Sequence, residues 1–239
     1  MDTDNKANIM DLFINNSVIS TDDIYNYFKS FDPNINRTTI NWRIYNWIKK
    51  GILKRIGRGV YELGETKRFN IVLSDKANKV GVYLKKHFPY IDFCIWESSV
   101  INQFAHYLTN SNNIFIDVEA DAKESVILYL KERYSSVYNI NDIRNNIEDY
   151  TNAIIVRRLV SASPIEKYND IFIPAIEKIV VDIIIDKEFL CYQNNNINKI
   201  IEAVFNHFTI NVNKLLRYSS RKGKKDEVKD ILQLYIDKK

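Results

Sequence analysis

Apolar residues recur at helical spacing in one early segment of the chain. Four of them lie at positions i, i+4, i+7 and i+8 and therefore share one face of a predicted helix: Ile40, Ile44, Trp47 and Ile48. Asn36 is placed to cap the start of this helix, and Gly51 to end it in a left-handed conformation. Beyond Gly51, apolar and polar residues alternate on both sides of the turn Gly57-Arg58-Gly59. The pattern over residues 36–63 predicts a helix followed by a β-hairpin.

Two shorter patterns precede this segment. Residues 6–15 predict a short amphipathic helix, and residues 21–31 predict a second helix, for which Ser20 and Asp23 form a capping box. Three helices followed by a hairpin are the arrangement of a winged helix-turn-helix, in which the last helix enters the major groove of DNA. We therefore expect residues 1–64 to form a winged helix-turn-helix DNA-binding domain.

Beyond a polar junction at residues 65–69, segments with strand-like and helix-like spacing alternate. Strands are predicted near residues 69–73, 90–96, 113–119, 153–159 and 171–173. Helices are predicted over residues 74–87, 98–108 and 122–134, from Pro174 to about residue 186, and throughout residues 196–239. The predicted fold class is α+β: an N-terminal winged helix-turn-helix followed by a mixed α/β domain with a helical C-terminal tail, residues 65–239.

Basic residues are concentrated in the predicted helix and hairpin. Between Arg37 and Tyr61 there are seven Lys or Arg and no Asp or Glu, whereas the whole chain has a net charge of only +4. The exposed positions of this segment carry side chains that bind base edges and phosphates in DNA complexes. The candidate DNA-binding residues are Arg37, Thr38, Thr39, Asn41, Trp42, Arg43, Tyr45, Asn46, Lys49, Lys50, Lys54, Arg55 and Arg58.

These residues are assigned different roles on DNA. The helix is expected to enter the major groove, and Arg58, at the tip of the turn, to reach the minor groove or phosphates. The phosphates are expected to be held by Lys49, Lys50, Lys54 and Arg55. Trp42 has an alternative: it contacts DNA, or it packs beneath the hairpin, for example against Tyr61. A surface helix and hairpin whose charges are merely solvated is the alternative for the whole segment.

A second basic cluster lies near the C-terminus. Residues 217–225 contain five basic residues and no acid: Arg217, Arg221, Lys222, Lys224 and Lys225. This cluster is a candidate surface for the DNA backbone or for an acidic protein partner. The alternative is a solvated loop between helices.

Evidence of catalysis is weak in the sequence. Asp117, Glu119, Asp121 and Lys123 lie at the end of a predicted strand, where acids could bind Mg²⁺ and a lysine could hold the attacking water of a nuclease. Acids at this junction also commonly complement a helix dipole. The motif PAIEKIVVD at residues 174–182 is expected to supply surface ion pairs or a structural polar contact. We predict no catalytic residue, metal or cofactor, and no enzyme activity.

The histidines, the cysteines and the apolar segments indicate the compartment in which the protein is expected. His87, His106 and His207 occur singly, and the two cysteines, Cys94 and Cys191, are expected to be free thiols in a reducing compartment. No segment approaches the ~18 consecutive uncharged apolar residues of a membrane span, and the N-terminus lacks the pattern of a signal peptide. These features predict a cytoplasmic protein that does not enter a membrane.

Two segments resemble a known family. Residues 42–63, WRIYNWIKKGILKRIGRGVYEL, resemble the N-terminal winged helix of AbiEi-type antitoxins of type IV toxin–antitoxin systems. Residues 171–189, IFIPAIEKIVVDIIIDKEF, resemble a P-x-L/I-E-K-x-x-V-D helix in the C-terminal half of related proteins. The resemblance implies a bacterial DNA-binding autoregulator whose C-terminal domain counters a nucleotidyltransferase-like toxin encoded beside it. It also assigns DNA binding to Arg37, Thr39, Arg43, Arg55 and Arg58.

The leading hypothesis is therefore a sequence-specific, DNA-binding transcriptional regulator of antitoxin type. Its expected partners are double-stranded DNA and a cognate nucleotidyltransferase-like toxin. We also expect a homodimer on DNA, because one winged domain buries too little surface for tight specific binding. Two alternatives stay open: a DNA-targeted metal-dependent nuclease, and a protein-interaction module that uses the winged helix.

Overall fold

The chain divides into two compact units. A computed structural model describes residues 8–64, 69–105, 112–141 and 150–236. The first unit comprises Met1–Arg68, Phe205–Ile210 and Gln233–Lys239, and the second comprises Phe69–Val204 and Asn211–Leu232. Two short segments of the C-terminal tail thus belong to the first unit, whereas the sequence placed all of residues 65–239 in the second domain.

The described part of Met1–Arg68 in the first unit contains two α-helices, a 3-10 helix and a three-stranded antiparallel sheet. Its elements are the 3-10 helix Ile9–Phe13, β1 (Ile19–Ser20), α1 (Thr21–Phe31), α2 (Arg37–Lys49), β2 (Leu53–Gly57) and β3 (Val60–Leu63). The strand order is β1-β3-β2. The amphipathic helix predicted over residues 6–15 is the shorter 3-10 helix, which Asn8 caps at its start and after which Asn16 donates to the Leu12 carbonyl; residues 6 and 7 lie outside the described residues.

Local capping interactions set the bounds of both α-helices. Ser20 and Asp23 make the predicted capping box, in which the Asp23 carboxylate accepts a hydrogen bond from the Ser20 amide at 2.7 Å. The Asn36 side chain accepts from the Thr39 amide at 2.8 Å. Gly51 follows α2 at φ 73°, and Gly59 closes the hairpin turn at φ 73°, so both adopt the left-handed conformation that glycine allows. These predicted bounds are confirmed.

The apolar face of α2 packs into the core of the first unit. Ile40 and Ile44 are buried, and Trp47 stacks on Phe28 with the ring centroids 5.6 Å apart. The core consists of Ile9, Ile19, Ile24, Phe28, Ile35, Ile40, Ile44, Leu53 and Tyr61. Because one face of α2 is held in this core, its opposite face is directed outward.

The second unit is built around a six-stranded mixed sheet. Its strands are β4 (Phe93–Glu97), β5 (Ile114–Val118), β6 (Val137–Asn139), β7 (Ile154–Arg158), β8 (Ile165–Tyr168) and β9 (Ile171–Pro174). Its helices are α3 (Asp75–His87), α4 (Lys123–Lys131), α5 (Ile176–Ile185), α6 (Leu190–His207), α7 (Val212–Arg221) and α8 (Lys225–Ile236), of which α6 and α8 end in segments of the first unit. The predicted mixture of helices and strands is confirmed.

Three neighbouring strands of this sheet run parallel. The order is β6-β7-β5-β4-β9-β8, and β7 pairs in parallel with both β6 and β5. β4 is antiparallel to β5 and parallel to β9. The carboxyl ends of β5, β6 and β7 therefore lie along one edge of the sheet, where ligands bind in many open α/β sheets.

In the second unit, two predicted elements differ in the structure. Residues 69–73 form no strand, although Ile71 and Leu73 are buried and Val72 is 82% exposed. Buried and exposed side chains alternate here because the segment packs against the rest of the second unit, although it pairs with no strand of the described residues. The helix predicted over residues 98–108 is a 3-10 helix, Ser98–Gln103, and residues 106–108 lie outside the described residues.

Within the described part of the chain, no helix is both long enough and apolar enough to cross a lipid bilayer.

Candidate functional site

The outward side of α2 exposes a row of polar and aromatic side chains. Trp42 is 66% exposed and Tyr45 is 63% exposed, which is unusual for side chains of this size. We call this row the outer face of α2, and it consists of Thr38, Asn41, Trp42, Tyr45 and Lys49. Since α2 contains no acidic residue, the face combines hydrogen-bonding and stacking groups with positive charge.

Trp42 is part of this face and not of the core. At 66% exposure it does not pack beneath the hairpin, and the tryptophan that joins the core is Trp47. Tyr61, the predicted packing partner, is buried and instead lies beside Arg55, whose guanidinium donates to the Tyr61 hydroxyl at 3.1 Å. The alternative in which Trp42 packs against Tyr61 is wrong.

Three predicted arginines interact with side chains of their own unit. The Arg37 guanidinium lies 2.8 Å from the Asp22 carboxylate and over the Tyr25 ring. Arg43 lies over the Phe28 ring, with 5.1 Å between the guanidinium carbon and the ring centroid. Arg55 is held by its bond to Tyr61. Thr39 likewise takes part in the cap of α2, donating from its hydroxyl to Asn36 at 2.9 Å.

Lys54 is not available to hold a phosphate. It is 7% exposed, and its ammonium donates to the Asn206 carbonyl at 2.8 Å and pairs with Glu62 at 3.0 Å. Lys54 and Glu62 face each other across the hairpin, which explains the pair. The predicted DNA contact of Lys54 is therefore wrong, because its charge is already neutralised inside the first unit.

Three predicted cations differ from Lys54. Lys49 and Lys50 end α2, and Arg58 lies in the hairpin turn between two glycines. All three are exposed, and none has an ion-pair partner in the part of the chain that the structure describes. Asn46, in the last turn of α2, is only partly exposed. The first unit thus has exposed cations at both the end of α2 and the hairpin tip that no carboxylate of its described residues neutralises.

The second unit buries an ionic network centred on Asp182, in α5. Asp182 has no exposed surface and accepts four hydrogen bonds. One oxygen accepts from the Tyr218 hydroxyl at 2.9 Å and from Lys222 at 2.8 Å. The other accepts from Lys178 at 2.6 Å and from Arg157 at 3.1 Å. We call these residues, with Asp117, Asp186 and Glu188, the buried ionic network.

Arg157 links the carboxylates of this network. Its Nε and Nη2 donate to Asp117 at 2.6 and 3.0 Å, and Nη2 also donates to Asp182. Its Nη1 donates to Asp186 at 3.4 Å and to Glu188 at 3.1 Å. All five N–H groups of the guanidinium therefore have partners. Lys178 completes the arrangement by pairing with Asp117 at 2.7 Å.

Mutual neutralisation sets the charge states in this network. Burial would raise the pKa of Asp117 and Asp182, but the facing cations hold both pKa values below the usual range. Burial would lower the pKa of Arg157 and Lys178, but the carboxylates hold both well above their ordinary values. Asp186 behaves differently, because burial and the Asp182 carboxylate raise its pKa to about 6. Four carboxylates face three cations, which leaves Asp186 to take up a proton most easily.

Two depressions open beside the network, at the carboxyl ends of β5, β6 and β7. The first has a volume of about 350 Å³ and is lined by network residues together with Lys123, Ile140, Asn141, Arg158 and Val160. The second, of about 640 Å³, shares Arg158 and Val160 and extends along residues 159–163 to Arg221. We call the two together the strand-end groove.

The residues of the nuclease hypothesis do not form one ligand set. Asp117 is buried and bound by Arg157 and Lys178, whereas Glu119 and Asp121 are exposed. Lys123 lines the groove and lies 3.5 Å from Glu124. The described residues contain no group of three His, Cys, Asp or Glu side chains that could hold a metal ion. His87 stacks on Tyr129, and His106 lies outside the described residues.

The second basic cluster is not one surface. Lys222 is drawn into the buried ionic network, and Lys224 pairs with Glu227 at 2.6 Å. Arg217, Arg221 and Lys225 are exposed. The prediction that Lys222 contacts a partner is wrong, because its ammonium is bound by Asp182 and Asp186.

Comparison with known proteins places the chain in a family. The sequence model of one family matches residues 39–238, which include most of α2, the hairpin and the whole buried ionic network. The chain belongs to a family of unknown function, DUF6577. No curated protein matches the chain. Membership in DUF6577 assigns no activity, so a functional conclusion depends on the two sites described above.

Proposed function

We propose that this chain is a sequence-specific, double-stranded-DNA-binding transcriptional regulator whose first unit is a winged helix-turn-helix. In this proposal α1 and α2 are the helix-turn-helix, and the β2–β3 hairpin is the wing. The observation that carries the proposal is the outer face of α2, which is exposed and free of acids. Three exposed cations lie at its end and on the wing, Lys49, Lys50 and Arg58, and within the described part of the chain none of them pairs with a carboxylate.

The residues of the outer face have separate roles on DNA. Thr38 and Asn41 hydrogen-bond to base edges in the major groove, and Trp42 and Tyr45 contact bases through their rings. Lys49 and Lys50 bind phosphates at the end of α2, and Arg58 reaches the minor groove or the flanking phosphates.

The arginines that already have partners take a supporting part. Arg37 pairs with Asp22, but the two side chains are 63% and 68% exposed, so the pair is weak and a phosphate displaces Asp22. Arg43 and Arg55 are held over the rings of Phe28 and Tyr61, which fixes the direction of their charges. Lys54 has no role on DNA.

The proposal extends to a regulator of antitoxin type. Its support is the resemblance of residues 42–63 and 171–189 to AbiEi-type antitoxins and related proteins. The second segment includes α5, whose Lys178 and Asp182 are buried in the ionic network. The motif therefore supports the fold of the second unit, and a toxin would contact other residues. A nucleotidyltransferase-like gene beside this one, with growth rescued on coexpression, tests this extension.

Fluorescence anisotropy with the DNA upstream of the chain's own gene tests the central proposal. The double variant Asn41→Ala/Trp42→Ala is expected to weaken binding to this DNA at least about tenfold, because it removes a base-edge donor and an exposed ring. Lys29→Ala, an exposed change on α1, is the matched control and is expected to leave the affinity unchanged. Equal binding by the wild type and the double variant would show that α2 does not read the DNA.

A protein-interaction module is the second candidate. The observation that favours it is the pair of exposed rings, Trp42 and Tyr45, since aromatic residues are enriched in protein interfaces. It predicts no DNA binding by the wild type even at low salt. Sedimentation of the protein with and without the DNA fragment separates this outcome from a homodimer bound to two related half-sites.

A further inference from the structure

We propose that the strand-end groove of the second unit binds a small organic phosphate, such as a nucleotide. The residues of this site are not those of the proposed DNA-binding surface, and the inference does not depend on the proposed function. The groove lies at the carboxyl ends of the parallel strands β5, β6 and β7, which is the usual ligand position in open α/β sheets.

The floor of the groove contributes little free charge. All five N–H groups of Arg157 have carboxylate partners, and Lys222 is bound by Asp182 and Asp186. The charges of the network therefore stabilise the second unit, and ligand binding falls to the residues at the rim of the groove. These rim residues can be replaced without breaking the ion pairs of the network.

The rim of the groove carries cations that the second unit does not neutralise. Arg158 and Arg221 are exposed, and neither guanidinium has an ion-pair or hydrogen-bond partner among the residues that the structure describes. Lys123 adds a third positive charge. Its ammonium lies 3.5 Å from the Glu124 carboxylate, which is 70% exposed and therefore screened by water. Glu119 is the carboxylate that lines the second depression. Two guanidinium groups suit a phosphate because each donates two parallel hydrogen bonds to its oxygens.

The size and wall of the groove favour an organic ligand over a bare ion. The second depression, of about 640 Å³, lies within the range of small-molecule sites. Half of its lining residues are apolar and form one part of the wall, Ala120, Leu159, Val160, Ala162 and Ile165, while Ser161 and Ser163 add hydroxyl groups beside the two arginines and Glu119. Inorganic phosphate would leave this wall uncovered, whereas a nucleoside phosphate would cover it and still place its phosphate between the arginines.

Isothermal titration calorimetry of the full chain tests the site with four probes: adenosine 5′-monophosphate, pyrophosphate, inorganic phosphate and adenosine. We expect saturable binding of adenosine 5′-monophosphate, weaker binding of the two inorganic ions, and no binding of adenosine. The double variant Arg158→Ala/Arg221→Ala is expected to weaken binding of adenosine 5′-monophosphate at least about tenfold, since it removes two charge-assisted contacts. Its melting temperature without ligand should stay at the wild-type value, because both side chains are exposed.

The matched control removes two positive charges elsewhere on the second unit. Lys79→Ala/Lys86→Ala changes exposed residues of α3 that do not line the groove, and is expected to bind the nucleotide as the wild type does. The proposal is overturned if no phosphate probe binds saturably up to about 10 mM, the weak end of specific affinities. It is also overturned if the arginine variant and the lysine control lose the same affinity, or if adenosine binds as well as its monophosphate.

Discussion

The outer face of α2 and the buried ionic network use charge in opposite ways. On and beside the outer face, Lys49, Lys50 and Arg58 are exposed, and none of them has an ion-pair partner among the described residues. In the network, Arg157 and Lys178 are buried and every donor of the guanidinium is bound. Cations left unpaired on a surface favour an external anion, whereas cations paired in the interior hold the fold together.

Each unit also contains a cation that differs from its sequence neighbours in burial. Lys54 belongs to the basic segment by sequence, yet it is buried and paired with Glu62. Arg158 follows the buried Arg157 directly, yet it is exposed at the strand-end groove. Burial and pairing therefore indicate the role of a cation better than its neighbours in the sequence do.

The largest expected effect follows from breaking the network at its centre. Asp182→Ala leaves buried cations without a shared carboxylate, and the free energy of unfolding should fall by about 3–5 kcal/mol. Asp121→Ala, an exposed carboxylate of the same unit, is the control and should change it by less than about 0.5 kcal/mol. Urea denaturation followed by circular dichroism measures both. Equal stability of the two variants would contradict a structural role for the network.

A smaller effect is expected from pH. The pKa of Asp186 is raised to about 6 in the folded protein, against about 3.9 when unfolded. Between these values the folded chain holds a proton that the unfolded chain has released, so the free energy of unfolding falls as pH rises from about 4 to about 6. The loss is about 2 kcal/mol between pH 4 and pH 6 and levels off at about 3 kcal/mol at higher pH, where both states have released the proton.

Asp186→Asn separates this effect from other titrations. Denaturation of the wild type and the variant at pH 4.5 and 6.5 should show a smaller pH dependence in the variant. The lowered pKa values of Asp117 and Asp182 act at lower pH, where their stabilisation is lost as pH falls below about 4. Parallel pH profiles of the two proteins between pH 4 and 6 would contradict the raised pKa of Asp186.

Lys54 and Lys50 provide a direct contrast within the basic segment. Lys54→Met leaves the Glu62 carboxylate without its partner and should lower the free energy of unfolding by about 1–2 kcal/mol. Lys50→Ala should change stability by less than about 0.5 kcal/mol but weaken DNA binding. Thermal denaturation and anisotropy on the same samples measure both properties. A stable Lys54→Met variant with impaired DNA binding would reverse the assigned roles.

The sequence predicted local structure well in the first unit. Ser20, Asn36, Gly51 and Gly59 fix helix ends and the hairpin turn through contacts within a few residues, which a pattern reveals. The pairing of Lys54 with Glu62 was also within reach, because the hairpin turn sets their register. The pair was not predicted because the segment searched for acidic residues ended at Tyr61, one residue before Glu62.

The network could not be predicted in the same way. Arg157 and Asp117 are 40 residues apart, as are Lys222 and Asp182, so no local pattern connects them. The available signal was the presence of charged residues inside apolar runs, as in residues 153–159 and 174–185. Such residues need buried partners, but the strand order that brings β5, β7 and α5 together determines which partners they find.

The salt dependence of DNA binding tests the central claim most directly. The measurement compares wild type, Lys49→Ala/Arg58→Ala and Lys29→Ala by anisotropy on the DNA upstream of the gene, at several salt concentrations. If both cations bind phosphates, the slope of log affinity against log salt falls by about 1.8 in the double variant and stays unchanged in Lys29→Ala. A wild-type affinity independent of salt, or an unchanged slope in the double variant, would contradict the claim that α2 and the wing bind DNA.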